Sequence, residues 1–440
     1  MTVLPSRRLI SATQVAGSAA EAGQPVGGFR RSTLSNGLTV VSEFMPSVRS
    51  VALGVWVRRA SVHERRDQMG VSHFLEHLVF KGTERRSAKE IALSLESLGG
   101  SLDAFTSREH TSFQARVLDE HLIQASDVLC DLIFRPVLRE SDLTLERNVV
   151  LEEIAMVEDT PDDLVFELHN EALWGAHPYG YAILGTRETI GALPVEAVRA
   201  LHGSAYRPQH MVVAAAGRVE HDDLLEVLAR TGWEDLTGGE PDGPVVPDPV
   251  SEPPTRRHID RDGHQTHIVL GGPSVPYADP RRYAVSLVGL MLGGGMSSRL
   301  FQRVREELGL AYSVYSFQSF HHDSGLQGIY AGTSADTAGR ALEEIFNELA
   351  RMAAEGFPAD EIEAGKSQLK GQLTLSLESP SSRMFRVASA ALYGEPFLPL
   401  DESLARIDAI TPQQVAEACR DLFHPERQTV VTLGRSGDLP

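Results

Sequence analysis

Apolar and polar positions alternate along 34–44 (LSNGLTVVSEF) and 48–59 (VRSVALGVWVRR), the period-two pattern of strands, and Asn36-Gly37 makes the first stretch hairpin-like. From about Gly70 to Phe80 the spacing changes to the three-and-four rhythm of a helix. A second helix is expected over 87–98, where Ser87 followed three residues later by Glu90 forms a capping box. Alternation returns at 101–106 and 111–118, and long helical patterns occupy about 120–134 and 140–158. From His267 onward the order strand, helix, strands, helices begins again. Such runs imply an α+β fold, made twice.

Two short stretches support a duplication. YRPQHMVVAAAGRV (206–219) and FHPERQTVVTLGRS (423–436) each carry an aromatic, a proline two positions on, and a β-branched strand ending in Gly-Arg. Pro208 matches Pro425 and Gly217 matches Gly434 at one common offset. Between the halves, Gly238 to Pro254 is dense in Pro, Gly and Asp without helical period, and reads as an extended linker. The expected organisation is a flexible tail over 1–27, a catalytic domain over 28–237, a linker over 238–257 and a homologous non-catalytic domain over 258–440. Together the domains would close like a clamshell.

Composition narrows the partners. A chain of 440 residues has ample core without staples, and its two cysteines, Cys130 and Cys419, lie in separate amphipathic stretches, so neither a disulfide framework nor a thiolate metal site is expected. The net charge of −19 argues against nucleic acid or an anionic membrane as the main partner and suits a basic peptide, although the same charge could serve solubility alone. No stretch approaches the roughly 18–20 apolar residues of a bilayer span. The first residues hold two arginines before any acid, a faint transit-peptide character; a flexible tail on a cytoplasmic bacterial protein is the preferred expectation, with the mitochondrial matrix as the alternative.

The helix at 70–80 carries the candidate chemistry. His73 and His77 are four residues apart and therefore project from one face, as two imidazoles converging on one ion require. Imidazole nitrogen suits Zn²⁺, which in catalytic sites takes three protein ligands plus water and lowers that water's pKa to about 7. Glu76 lies one turn from His73 and beside His77, placed to act as general base without being a ligand. For the third ligand the helix at 139–160 offers Glu146 and Glu153, seven apart on one face; Glu153 is the expected ligand and Glu146 an orienting carboxylate behind it. A pair of satisfied helix histidines is what the pentad would mean if it stood alone.

It does not stand alone. GVSHFLEHLVFKGT (70–83), GGSLDAFTSREHTSFQARV (99–117) and LERNVVLEEIAM (145–156) together resemble the pitrilysin and insulysin superfamily of inverted-motif zinc peptidases, the inverzincins, and most of all its short members, the mitochondrial processing peptidase β subunit and its bacterial relatives. The likeness runs from about Phe29 to Gly434. It implies zinc on His73, His77 and Glu153, Glu76 as base, and Glu146 as auxiliary acid. LGGGMSSRLFQRVREELGLAYSV (292–314) resembles the family's glycine-containing turn with its Arg and Tyr pair, here Arg305 and Tyr312, which the resemblance implies reach the zinc site from the second domain. By themselves Arg305 would be a solvated helix charge and Tyr312 a half-buried strand aromatic. The resemblance also implies that Asp103, Ala104, Phe105 and Thr106 form an edge strand to which an extended peptide adds, with Asp103 standing where relatives usually carry Asn and so favouring a basic side chain.

The second-half helix corresponding to 70–80 is RRYAVSLVGLML (281–292), without His or Glu, so only the first half is expected to be catalytic. The leading expectation is a zinc metalloendopeptidase acting on unfolded peptides or presequences as a self-sufficient homodimer. A non-catalytic scaffold or peptide-binding subunit of the same fold is the alternative.

Overall fold

In the computed structural model, residues 28–239 and 245–437 are described, so the expected tail over 1–27 and the centre of the expected linker fall outside them. Two sheets form the frame. The first holds β1 (Phe29–Thr33), β2 (Thr39–Phe44), β3 (Ser50–Val57), β4 (Ser101–Thr106), β5 (Thr111–Leu118) and β6 (Met211–Gly217), in the order β1-β2-β6-β3-β5-β4. The second holds β7 (Arg256–Asp260), β8 (Thr266–Ser274), β9 (Ala311–Phe320), β10 (Gly325–Thr333) and β11 (Thr429–Gly434), in the order β7-β11-β8-β10-β9. Each sheet has one parallel pair, β2 with β6 and β7 with β11; every other pairing is antiparallel.

The helices of the first half are α1 (Val71–Val79), α2 (Ala88–Glu96), α3 (Leu122–Phe134), α4 (Glu140–Asp159), α5 (Pro161–Trp174), α6 (Arg187–Ala192), α7 (Val195–Ala205) and α8 (His221–Arg230). Those of the second are α9 (Arg282–Gly293), α10 (Ala338–Glu355), α11 (Ala359–Ser376), α12 (Pro380–Leu392), α13 (Leu400–Asp408) and α14 (Pro412–Asp421). This is the α+β fold expected, made twice. The strand expected over 34–44 is instead the turn and second arm of the β1–β2 hairpin. There Asn36 Oδ1 accepts from the Leu38 amide (3.2 Å), so pairing resumes only at Thr39. Arg256 and Arg257, at the end of the stretch expected as linker, already pair with Val430 and Val431.

The duplication is legible strand by strand. β2, β6, β3, β5 and β4 have the same order and sense as β7, β11, β8, β10 and β9, with β1 added to the first sheet. Pro208 and Pro425 each open a short 3-10 turn before the matching strands β6 and β11. Gly217 and Gly434 end those strands at φ +125° and +144°, where a Cβ would lie 2.2 Å from the Ser50 carbonyl oxygen and 2.7 Å from the Thr266 Cα. Only glycine fits both conformation and space.

Each sheet is covered on both faces, and one cover is exchanged. On β3, Val51, Leu53, Val55 and Val57 point into the core beneath α1 and α3, while the intervening Ala52 and Trp56 join the opposite layer. That layer is closed by Met384, Val387, Ala388 and Ala391 of α12, a helix of the second half. Reciprocally, Val165 of α5 packs with Val269, Tyr330, Val431 and Leu433 on the outer face of the second sheet. Strands buried on both faces read as near-continuous apolar runs, which is what β3, β6 and β11 are.

Candidate active site

The site starts from how α1 is anchored. Gly70 turns the chain into the helix at φ +91°, and a Cβ there would lie 2.6 Å from the Leu184 carbonyl oxygen. The first amides of α1 lack helical partners, and the Glu64 carboxylate takes those of Gly70 and Ser72, both at 2.7 Å. Burial pushes the Glu64 carboxyl up to about 7 against these hydrogen bonds. Phe74, Leu75 and Leu78 then face the core. The remaining arc of the helix presents His73, Glu76 and His77 toward α4 and β4.

On that arc the imidazole rings of His73 and His77 lie 4.5 Å apart, and Glu153 of α4 approaches both. Its Oε2 is 3.7 Å from His73 Nε2 and 3.5 Å from His77 Nε2. One donor atom from each of the three residues lies within 4.8 Å of the other two. Around a tetrahedral zinc with bonds of about 2.0–2.1 Å, donors stand roughly 3.3–3.4 Å apart, so both Glu153 contacts fit Zn²⁺ after shifts of tenths of an ångström. Burial, and secondarily the neighbouring His77, lowers the His73 imidazole to about 3, keeping it in the neutral form a metal ligand must have. The Glu153 side chain stays 35% exposed, which leaves the triad open to solvent on one side.

Behind the triad, Glu146 is buried and does two things. Its Oε1 accepts from His77 Nδ1 at 2.9 Å, which turns Nε2 toward Glu153, and its Oε2 meets Lys81 Nζ at 2.6 Å. His73 has no such support: its Nδ1 is buried without a partner among the described residues and is held by packing. Glu76 is buried, and Thr106 donates its hydroxyl to Glu76 Oε2 at 2.6 Å. Burial raises the Glu76 carboxyl above the usual carboxylate range, the Thr106 hydrogen bond opposes this, and the nearby Glu153 charge adds to it.

The structure therefore brings His73, Glu76, His77, Glu146, Glu153 and Thr106 together. Asp103, Ala104, Phe105 and Thr106 lie on β4, the edge of the first sheet, paired only with β5. Arg305 and Tyr312 stand apart from the triad. The Arg305 guanidinium lies 5.2 Å from the Tyr312 ring centre and 4.7 Å from that of Phe301, and Tyr312 is 75% exposed on edge strand β9. Among the described residues no hydrogen bond, ion pair or ring contact joins either to the triad. Glu64, Lys81 and the pairing of Thr106 with Glu76 are contacts that spacing alone did not reveal. An acid shortly before a helix start was the one available signal, for Glu64.

Residues 39–187 match the family described as Insulinase (Peptidase family M16), and residues 192–369 match the Peptidase M16 inactive domain. An uncharacterized zinc protease of Bacillus subtilis, YmxG, is 40% identical over 93% of this chain and 99% of its own length. An uncharacterized zinc protease of Streptomyces coelicolor is 39% identical over 90% of this chain and 88% of its own. A Helicobacter pylori protease of known structure superposes with a TM-score of 0.86 at 21% identity, covering 92% of this chain and 99% of the other. The chain belongs to peptidase family M16, the pitrilysin and insulysin family, in its short two-domain form. Both relatives are named zinc proteases, and the three donors gathered in this chain suit that ion. Among the described residues no helix is long and apolar enough to cross a membrane.

Proposed function

We propose that this chain is a zinc-dependent endopeptidase of unfolded peptides or presequences, with His73, His77 and Glu153 as metal ligands and Glu76 as general base. The observation that carries the reading is the gathering of those three donors beside a buried carboxylate that is no ligand itself. The metal, when bound, polarises a peptide carbonyl and lowers the pKa of water, a chemistry its open donor set suits. Glu76 takes the proton of the attacking water and returns it to the leaving amine nitrogen; its raised affinity for a proton suits a group that must hold one between the two events. Thr106 keeps that carboxyl oriented, and Glu146 keeps His77 turned toward the ligand set.

The edge strand Asp103–Thr106 accepts an extended peptide by main-chain hydrogen bonds, and Asp103 together with the net charge of −19 favours basic substrates. Arg305 and Tyr312 serve from the second half, Arg305 on substrate carbonyls and Tyr312 on the developing oxyanion, once the cleft narrows around a peptide. In this reading 28–237 is the catalytic domain, 258–440 its non-catalytic wall, and the enzyme works as a cytoplasmic homodimer.

Glu76→Gln tests the mechanism. The variant is expected to retain one zinc per chain, by elemental analysis, and to lose peptide hydrolysis by about 10²–10⁴-fold, the usual worth of a general base. Hydrolysis at the wild-type rate would refute the assignment.

A further inference from the structure

The β4–β5 hairpin touches the site at one end and the other half of the molecule at its turn. Thr106, the last residue of β4, holds Glu76; three residues later Glu109 sets a half-buried carboxylate into the seam. Glu109 Oε1 accepts from the Tyr179 hydroxyl and from the His322 amide, each at 2.8 Å. Its Oε2 accepts from the Tyr393 hydroxyl at 3.1 Å, and that hydroxyl also lies 3.3 Å from the Phe320 carbonyl oxygen. The donors come from three segments. Tyr179 belongs to the first half, Tyr393 follows α12 on the first sheet's outer face, and His322 sits in the β9–β10 turn of the second sheet.

Close packing does not do this work. A cavity of about 260 Å³ lies beside the carboxylate, lined among others by His63, His110, Tyr179 and Tyr393. Arg58, at the end of β3, steadies the same corner by donating to the Ala391 and Leu392 carbonyl oxygens, both at 2.7 Å. A carboxylate has lone pairs for several donors and no proton of its own, so it can satisfy all three at once where a hydroxyl could not. The joint lies in the turn directly after β4, three residues from the Thr106 hydroxyl that holds Glu76.

We propose that Glu109 is a positioning residue of the peptidase site: one carboxylate in the seam fixes the β4–β5 turn to the second half, and so holds Thr106 where it orients Glu76. The inference rests on the peptidase reading for its kinetic consequence, but the joint itself can be measured without catalysis. Paired spin labels at Lys89→Cys on α2 and Met296→Cys in the second half report the separation of the halves, since both sites are exposed and both native cysteines are buried. In Glu109→Ala the distance distribution is expected to broaden and kcat on an internally quenched basic peptide to fall about 10-fold, with zinc content and KM little changed. Glu109→Gln retains an acceptor for Tyr179 and His322 while the Tyr393 hydroxyl turns to accept from the amide, so both readouts should recover. Tyr393→Phe removes the bond to the helix end without touching the hairpin. It should broaden the distribution less, and combined with Glu109→Ala it should add nothing further. It keeps the test available if Glu109→Ala fails to fold. Distributions identical to wild type in the folded variants overturn the proposal whether or not the protein cleaves peptides. A wild-type protein that cleaves nothing but broadens as described would sink the peptidase reading and leave the joint standing.

Discussion

Thr106 and Glu146 are not among the proposed metal ligands, yet each holds a group that the proposed chemistry needs. Among the described residues Thr106 makes the one hydrogen bond to Glu76 given by another side chain, and a hydrogen bond to a charged group contributes about 1.5–3 kcal/mol. Thr106→Val keeps the shape and strand propensity of the position and removes the donor. Its kcat/KM is expected to fall on the order of 10- to 100-fold with zinc stoichiometry unchanged, so steady-state kinetics alongside metal analysis separates it from loss of the ligand set. Glu146→Gln should behave in the opposite way. Without the carboxylate on its Nδ1, His77 loses both orientation and basicity, and such supporting groups typically cost 10–100-fold in metal affinity when replaced. Competition against a chelator measures this directly. The two histidines are unequal here, because among the described residues His73 has no corresponding partner on Nδ1, so the same carboxylate supports half of the imidazole pair.

The exchanged helices show where sequence reasoning ends. The ends of β4 and β5 are where alternation puts them, α1 and α2 lie within a residue or two of theirs, and the capping box at Ser87 forms with Glu90. The gathering of the proposed ligands was equally accessible: His73 and His77 share a face by helical spacing, and Glu153 shares one with the supporting Glu146 across a seven-residue interval on α4. These are local facts of one period. What α5 and α12 cover is a different kind of fact. α5 announces its start in Pro161 with Asp162 and Asp163 in the first turn, and α12 in Pro380, but an amphipathic pattern says that a face is buried and not against what. Read as an alternation, 48–59 implies one buried face, whereas β3 is buried on both; that the second layer comes from the other half of the chain is set by topology alone. The pairing of Thr106 with Glu76 was hidden for the same reason, since it joins two elements whose relative placement no spacing encodes. One substitution tests the exchange. Ala388 is 1% exposed between α12 and the first sheet, so Ala388→Asp buries an unpaired charge there. It should destabilise the fold by about 3 kcal/mol or more in denaturant titration, whereas Leu375→Asp, on an exposed site of α11, should change little.

Buried imidazoles stand at the junctions between these parts, and they make the whole molecule sensitive to acid. His169 of α5 reaches the Thr429 carbonyl of β11 at 3.1 Å across the exchange interface, His221 of α8 bridges Ser32 and Ser42 on β1 and β2, and His321 stacks on Tyr179 at the seam. Burial lowers each of them, and also His63 and His110, to about 4, against an ordinary value of 6.5. The sign follows from linkage. Above pH 6.5 folded and unfolded chains both carry neutral imidazoles at these positions; between 6.5 and about 4 the unfolded chain binds protons that the folded chain excludes, so stability falls as pH falls. For His169, which is 1% exposed, the full span amounts to about 3 kcal/mol. Glu64 works in the other direction, because a carboxyl raised to about 7 is relieved of its burial cost as the medium becomes acid. Burial raises Glu76, Glu109 and Glu167 in the same sense and lowers His73, His202 and His267 as well, so among the described residues eight imidazoles stand against four carboxyls. The zinc-free protein is therefore expected to lose thermal stability steadily from pH 7 to pH 4.5, taking up protons on unfolding, and His169→Gln should flatten that slope while costing some stability at pH 7. Removing zinc keeps acid-driven release of the metal out of the measurement. If wild type and His169→Gln descend in parallel across this range, the histidine at the α5–β11 contact is not what acid attacks, and the clasp between the halves is held by its apolar layer alone.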